Sequence, residues 1–147
     1  MITLRLSKAE ELADFHDIER QSHAQPFLIN YTLERHQQCF VDEEIIYLTI
    51  IHESFDLAGY IILAIEDQGK SIEFRRIAID QNYLGIGQLT IQAMESFCQE
   101  ALQAERIWLD VFDDNQKGMH IYEKFGYQRF GEQDEGGRNM YLYEKWL

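Results

Sequence analysis

Apolar side chains recur along this chain at two periods, and the switches between them mark out the predicted elements. Ile2 to Leu6 alternates as a short strand. Ser7, with Glu10 three residues on, reads as a capping box that opens a helix with Leu12, Phe15 and Ile18 turned inward. Pro26, the one proline, interrupts the pattern, and Thr32 is placed to cap a second helix carrying Leu33, His36 and Phe40 on one face. Glu44 to His52 and Leu57 to Ile65 are β-rich runs separated by Glu53, Ser54, Phe55 and Asp56, a length that suits a hairpin.

After Gly69 comes the stretch around which the rest is organised. Ile72, Phe74, Ile77, Ala78 and Ile79 read as a strand, and Leu89, Ala93, Met94, Phe97, Cys98, Ala101 and Leu102 recur at helical spacing. Gly85 and Gly87 sit where one period gives way to the other. Glycine lets backbone approach a ligand closely, and the unpaired N–H groups of the helix's first turn form an anion site. The bland alternative is a tight turn feeding a helix. A dinucleotide fingerprint wants a third glycine where Thr90 stands, and a P-loop wants Gly-Lys-Ser/Thr, which is absent. Arg106 to Phe112 is a further strand, a helix runs from Asn115 to Phe125 with Gly126 as its stop, and Tyr127 to Gly131 and Met140 to Trp146 read as strands flanking Gly136 and Gly137. Strands alternating with helices predict a mixed α/β class, and 147 residues without repeat or linker predict one domain over residues 1–147.

Composition narrows the function. Thirteen basic residues against 26 acidic give a net charge of −13, which repels phosphate backbones and argues against a nucleic-acid partner. The same field favours a cationic small molecule, although acidity also serves solubility alone. Cys39 and Cys98 show no paired spacing, and the five histidines show no metal-ligand spacing, so no disulfide and no metal are expected. The N-terminus has no apolar signal core, and no apolar run approaches the roughly 20 residues that span a bilayer, so the expected setting is the cytoplasm with no membrane association.

The chemistry enters with NQKGMHIYEKFGY, in which Asn115, Gly118, Ile121, Tyr122, Gly126 and Tyr127 stand at fixed offsets. Together with Ile77-Ala78-Ile79 and the glycine turn, this run resembles the GNAT superfamily of acyl-CoA-dependent N-acetyltransferases, whose second motif reads Asn-x-x-Ala-x-x-Leu-Tyr-x-x-x-Gly-Phe. Gly118 replaces the alanine and Tyr127 the phenylalanine. Arg75-Arg76-Ile77-Ala78-Ile79, the short turn and Arg106 to Val111 make it most similar to the branch holding the ribosomal-protein N-terminal and spermidine acetyltransferases.

That resemblance implies a mixed, mostly antiparallel central sheet with helices on both faces, acetyl-CoA as cofactor, and an acceptor that is a polyamine-like small molecule or a peptide N-terminus. Ile77, Ala78 and Ile79 would pair their backbone with the pantetheine arm, and Asn82, Leu84, Gly85, Ile86, Gly87 and Gln88 would cradle the pyrophosphate. Asn115 would hydrogen-bond the arm and Tyr122 would protonate the departing thiolate. The family usually carries Gln, Arg or Lys where Asn82 stands, and often a basic residue at Leu84, so binding here would lean on backbone N–H groups. Proton transfer from an ordinary phenol to a thiolate is uphill by about 2 kcal/mol, so the site must tune one partner. Glu73 stands six residues before Ile79, where the histone-acetylating members place a general base, and unbroken alternation puts it on the face of Ile77 and Ile79, opposite Phe74. The bland reading is a carboxylate paired with Arg75. Glu34, in the second helix, is a candidate for acceptor contact by analogy. A non-catalytic acyl-CoA-binding module is the rival class, against which Tyr122 speaks because a pure binder needs no acid beside the sulfur. Oligomeric state is left open, a homodimer included.

Overall fold

The structure, a computed structural model, describes residues 1–53 and 56–147. Its elements run β1 (Ile2–Leu6), α1 (Leu12–Ile18), α2 (Leu33–Phe40), β2 (Ile45–His52), β3 (Leu57–Glu66), β4 (Ser71–Ile79), α3 (Gly87–Glu100), β5 (Arg106–Phe112), α4 (Gln116–Lys124), β6 (Gln128–Glu135) and β7 (Arg138–Trp146). They form a seven-stranded sheet in the order β1-β2-β3-β4-β5-β7-β6, with β4–β5 as the parallel pair and the other neighbours antiparallel. This is the expected class. Of the hairpin turn expected between β2 and β3, Ser54 and Phe55 lie outside the described residues.

Each face of the sheet buries an apolar layer, as a sheet packed on both sides must. On one face Ile91, Met94 and Cys98 of α3 pack with Leu63, Ile72, Phe74, Ile107 and Leu109, and Met119, Ile121 and Tyr122 of α4 join them. On the other, Leu12, Phe15 and Ile18 of α1 pack against Tyr47, Tyr60, Ile62 and Ala78.

Local details depart from expectation where tertiary contacts compete. Ser7 does not cap α1. Its hydroxyl bonds Thr49 Oγ1 at 2.7 Å, and Glu11, one residue beyond the expected partner, accepts the Lys8 N–H at 2.8 Å. Thr32 does cap α2, accepting the Arg35 N–H at 3.1 Å. His36 is buried as expected, whereas Leu33 is 36% exposed. The closing strands run further than the apolar pattern, because Gly136 and Gly137, both at positive φ, make a tight turn that lets polar residues pair right up to it.

One irregularity matters for the site. The β3–β4 register jumps between Ile62 opposite Arg76 and Leu63 opposite Phe74, which leaves Arg75 as an extra residue in β4. A bulge of this kind inverts the phase of every side chain beyond it. Ile72 and Phe74 therefore share the α3 face with Ile77 and Ile79, while Arg76 and Ala78 face α1. The expected placement of Glu73 beside Ile77 and Ile79 is thus wrong: it stands on the opposite face, where the α1–α2 side of the sheet begins.

Candidate active site

β4 and β5 are joined only through Ser71, Ile72 and Glu73 opposite Arg106, Ile107 and Trp108. Beyond that point the two strands part, although β5 stays paired to β7 as far as Phe112 opposite Met140. The gap widens into a cavity of about 860 Å³ bordered by β4, the turn after it, the start of α3, the end of β5, α4 and the α1–α2 segment.

Parted strands leave backbone groups without a ladder partner, and such groups need another one. The Asp80 N–H bonds Ala58 O of β3 at 2.8 Å. Backbone alternation then turns Ile77 and Ile79 toward the gap and Ala78 toward β3. Of the three residues expected to pair with the arm, Ile77 and Ile79 turn backbone groups to the gap and Ala78 does not, and His23 Nε2 already shares the Ile79 carbonyl at 2.7 Å.

At the mouth of the gap Gly85 takes φ 106, which a side chain would strain, and a Cβ there would meet only open space. α3 begins two residues later with no side-chain cap, so its first N–H groups are open to an anion. Leu84, Gly85, Gly87 and Gln88 border the cavity, as do Ile77, Ala78, Ile79, Asn115, Tyr122 and Glu73. Asn82, Ile86 and Glu34 do not. Asn82 is exposed and its N–H is held by Asp80 Oδ1 at 2.9 Å, Ile86 packs into the core, and Glu34 is exposed on α2. Asn82 and Leu84 bring no charge to the turn, but Lys124 donates to Gln88 Oε1 at 3.2 Å and Lys117 borders the cavity. The open N–H groups, the parted strand edge and the size of the cavity fit the pyrophosphate and amide arm of acetyl-CoA.

Asn115 is the N-cap of α4: its Oδ1 accepts the Gly118 N–H at 3.0 Å, which leaves the amide N–H₂ for a ligand. A Cβ at residue 118 would come within 2.8 Å of that amide, so glycine here matches the folded-over cap. Tyr122 stands edge-on to Phe74, with ring centroids 6.3 Å apart. Among the described residues nothing hydrogen-bonds its hydroxyl. Burial, with the charge of Asp110 behind it, pushes its phenol up to about 12.

Asp110 is the residue that the sequence pattern did not bring forward. It borders the cavity from β5, two residues past the last β4–β5 pair. Burial, then the charges of Glu73 and Glu135, push its carboxyl up to about 6, with Arg75 opposing. Glu73 is held differently, through two hydrogen bonds from Arg75. The signal that could have found Asp110 is an ionisable side chain in a stretch, Ile107 to Phe112, that is otherwise apolar, where charge is costly unless used.

The Acetyltransferase (GNAT) family profile matches residues 10–127 of the chain. The chain belongs to this acetyltransferase family. Among its curated relatives, a spermine/spermidine N(1)-acetyltransferase of Bacillus subtilis (strain 168) is 26% identical over 97 residues, covering 60% of this chain and 64% of the relative. Among solved structures, the spermidine N-acetyltransferase of Vibrio cholerae in complex with CoA and spermine superposes with a TM-score of 0.84 at 19% identity, covering 99% of this chain and 95% of the other. That superposition shows a shared acetyltransferase fold across the whole sheet. Both relatives belong to the spermidine acetyltransferase branch that the sequence resembles.

The cavity of this family member does not carry the acidic excess of its chain. Glu73, Asp110 and Asp114 border it together with Arg35, Arg75, Arg76 and Lys117, and Arg35 lies 3.9 Å over the ring of Tyr31. Among the described residues no group of three or more His, Cys, Asp or Glu is placed to hold a metal ion, and no helix is long and apolar enough to cross a membrane.

Proposed function

We propose that this protein transfers an acetyl group from acetyl-CoA to the primary amine of a small molecule or a peptide N-terminus. The observation that carries the reading is the gap between β4 and β5, bordered by the open start of α3, by Tyr122 and by Asp110. Acetyl-CoA supplies the thioester carbonyl that an amine attacks directly.

The chain's own residues supply the rest. The first N–H groups of α3 and the Asn115 amide hold the cofactor, and the gap-facing N–H of Ile77 can donate to an oxygen that gains negative charge. An amine arrives as an ammonium and must lose a proton before it attacks. Moving that proton to an ordinary carboxylate of pKa about 3.9 costs roughly 9 kcal/mol from a lysine-like amine of pKa about 10.4, and roughly 5 from an α-amine near 7.8. Asp110, raised to about 6, lowers each cost by about 3 kcal/mol. It is the better base, because Arg75 holds Glu73 by two hydrogen bonds.

Tyr122 is tuned in the opposite sense to what proton donation wants. At about 12 its proton lies roughly 5 kcal/mol downhill from a thiolate of ordinary pKa. The two residues are linked, however, since the Asp110 charge is one cause of the rise. Once Asp110 has taken the amine proton that charge is gone, and the phenol at Tyr122 Oη gives its proton up more readily.

Polyamines, the substrates in the names of the relatives, are the first acceptor class to try, and peptide α-amines the second. Release of coenzyme A from acetyl-CoA, followed with spermidine, spermine and a dipeptide as acceptors, tests the reading. Acceptor-dependent release is expected. Tight binding of acetyl-CoA with no release for any amine would instead make the protein an acyl-CoA-binding module.

A further inference from the structure

The segment between α1 and α2, residues 19–32, forms a wall of the cavity through His23, Ala24, Phe27, Leu28 and Tyr31. Backbone hydrogen bonds along residues 19–28, with a 3-10 turn at Gln25–Phe27, shape it locally, and Arg138 of β7 bonds the Pro26 carbonyl at 3.1 Å, so the side-chain contacts set where it sits against the rest of the site. Behind the cavity, Arg76 of β4 bonds the Ile29 carbonyl and the buried Glu19 carboxylate. A second set of bonds runs to the other half of the site. Gln21 Nε2 donates to Asp80 Oδ2 at 3.0 Å and Gln21 Oε1 accepts the Gln81 N–H at 2.8 Å. His23 Nε2 donates to the Ile79 carbonyl at 2.7 Å. Ile79, Asp80 and Gln81 are consecutive, and they open the turn that leads to the N-terminus of α3.

We infer that Gln21 and His23 are positioning residues that couple the two halves of the site: an ordered cofactor turn fixes the 19–32 segment, and with it the acceptor wall. The inference rests on the proposal above that the turn holds coenzyme A. Its physical basis is shared ordering. The Gln21 amide donates and accepts at once, so it finds both partners only when the turn and the segment are in register. A ligand that orders the turn spends conformational entropy that an acceptor then need not spend. Among the described residues the side-chain hydrogen bonds of Gln21 and His23 go to this turn alone, whereas the Arg76 contacts secure the segment to the sheet whether or not the turn is occupied.

Hydrogen exchange measured with and without millimolar coenzyme A tests this without any turnover. In the wild type, coenzyme A is expected to slow exchange both in residues 80–88 and in residues 19–32, the latter by roughly tenfold, within the range usual for coupled sites. In Gln21→Ala/His23→Ala the slowing should remain in 80–88 and vanish from 19–32. Gln21→Glu, which sets a carboxylate against Asp80, should also uncouple the segment, and adding Asp80→Asn should restore the effect, since asparagine donates to the new carboxylate and still caps Asn82. This charge-exchanged pair keeps the test intact if the alanine variant does not fold. Slowing confined to 80–88 in the wild type, or unchanged coupling in the folded variants, overturns the inference. No slowing anywhere in the wild type overturns the coenzyme A reading and this inference together, a result distinct from the other two.

Discussion

Both hydrogen bonds from the Arg75 guanidinium to Glu73, from Nε at 3.1 Å and Nη2 at 2.8 Å, fall on the same oxygen, Oε1. The carboxylate that the sequence puts forward as a base is thereby engaged by Arg75, while its charge helps to raise Asp110 on the neighbouring strand. The bulge that makes Arg75 an extra residue in β4 gives rise to this arrangement, because it puts Glu73 on the side of the sheet where Arg75 and Asp110 meet it.

Replacing Asp110 by asparagine separates its two effects. With Asp110 as base, the wild-type rate at limiting acceptor should rise with pH through about 6. Asp110→Asn should abolish that rise and lower the rate near pH 7 by roughly 10² or more. Its stability should move the other way. A carboxyl whose folded pKa lies above its unfolded value of about 3.9 contributes stability that is present at low pH and lost as pH rises through the folded value. At pH 7 the variant is therefore the more stable protein, by up to about 3 kcal/mol. A pH–rate profile and a denaturant titration check both, and an unchanged profile removes Asp110 from the mechanism.

Tyr122→Phe removes a proton donor and little else, since the ring keeps its edge-on contact with Phe74. Turnover should fall by about 10² to 10⁴. Coenzyme A affinity, measured by calorimetry, should change little, and unchanged turnover would show that the sulfur leaves without this proton.

The Glu19 carboxylate is fully buried, and burial opposes its charge, yet hydrogen bonds from His36 and Tyr60 and the charge of Arg76 hold it at about 2. Its contribution to stability is present above the unfolded pKa near 4.5 and lost as pH falls toward 2. Glu19→Gln leaves Arg76 buried without a counter-charge and should cost about 3 to 5 kcal/mol at pH 7. The loss should shrink as the solution is acidified. A set of urea titrations from pH 7 to pH 3 measures this, and a pH-independent difference would refute it.

Tyr127 occupies the place of the motif phenylalanine, and among the described residues its buried hydroxyl has no partner within ordinary hydrogen-bond distance, although the Glu95 carboxylate is near enough to help raise its phenol. An unsatisfied buried hydroxyl costs about 1 to 3 kcal/mol, so Tyr127→Phe should raise the melting temperature rather than lower it. A lower melting temperature would mean that the hydroxyl is satisfied in solution.

The order of strands and helices was legible in the sequence because each element carries its own period and its own stop. The β-rich run at Ile45–His52, helical recurrence from Leu89 to Leu102 and the left-handed glycine at Gly126 all act within a few residues. The cofactor half of the candidate site was legible for the same reason. A glycine turn, an uncapped helix start, and Asn115 with Tyr122 seven residues on, are local features, and all but Asn82 and Ile86 of the residues expected there border the cavity.

What the sequence by itself determined is therefore whatever a short stretch of chain can impose: the elements, their order and the anion-ready turn at the head of α3. Only the tertiary structure decided which acids face the gap and in what state. Asp110 is raised by burial and by Glu73, a residue on another strand, and Glu73 changes face because a single bulge at Arg75 shifts the phase of β4. Gln21 and His23 meet Asp80, Gln81 and Ile79 only once α1 has packed on the sheet beside β4. Such effects depend on distances between residues far apart in the chain and on exclusion of water by the packed layers, neither of which any local pattern of side chains contains.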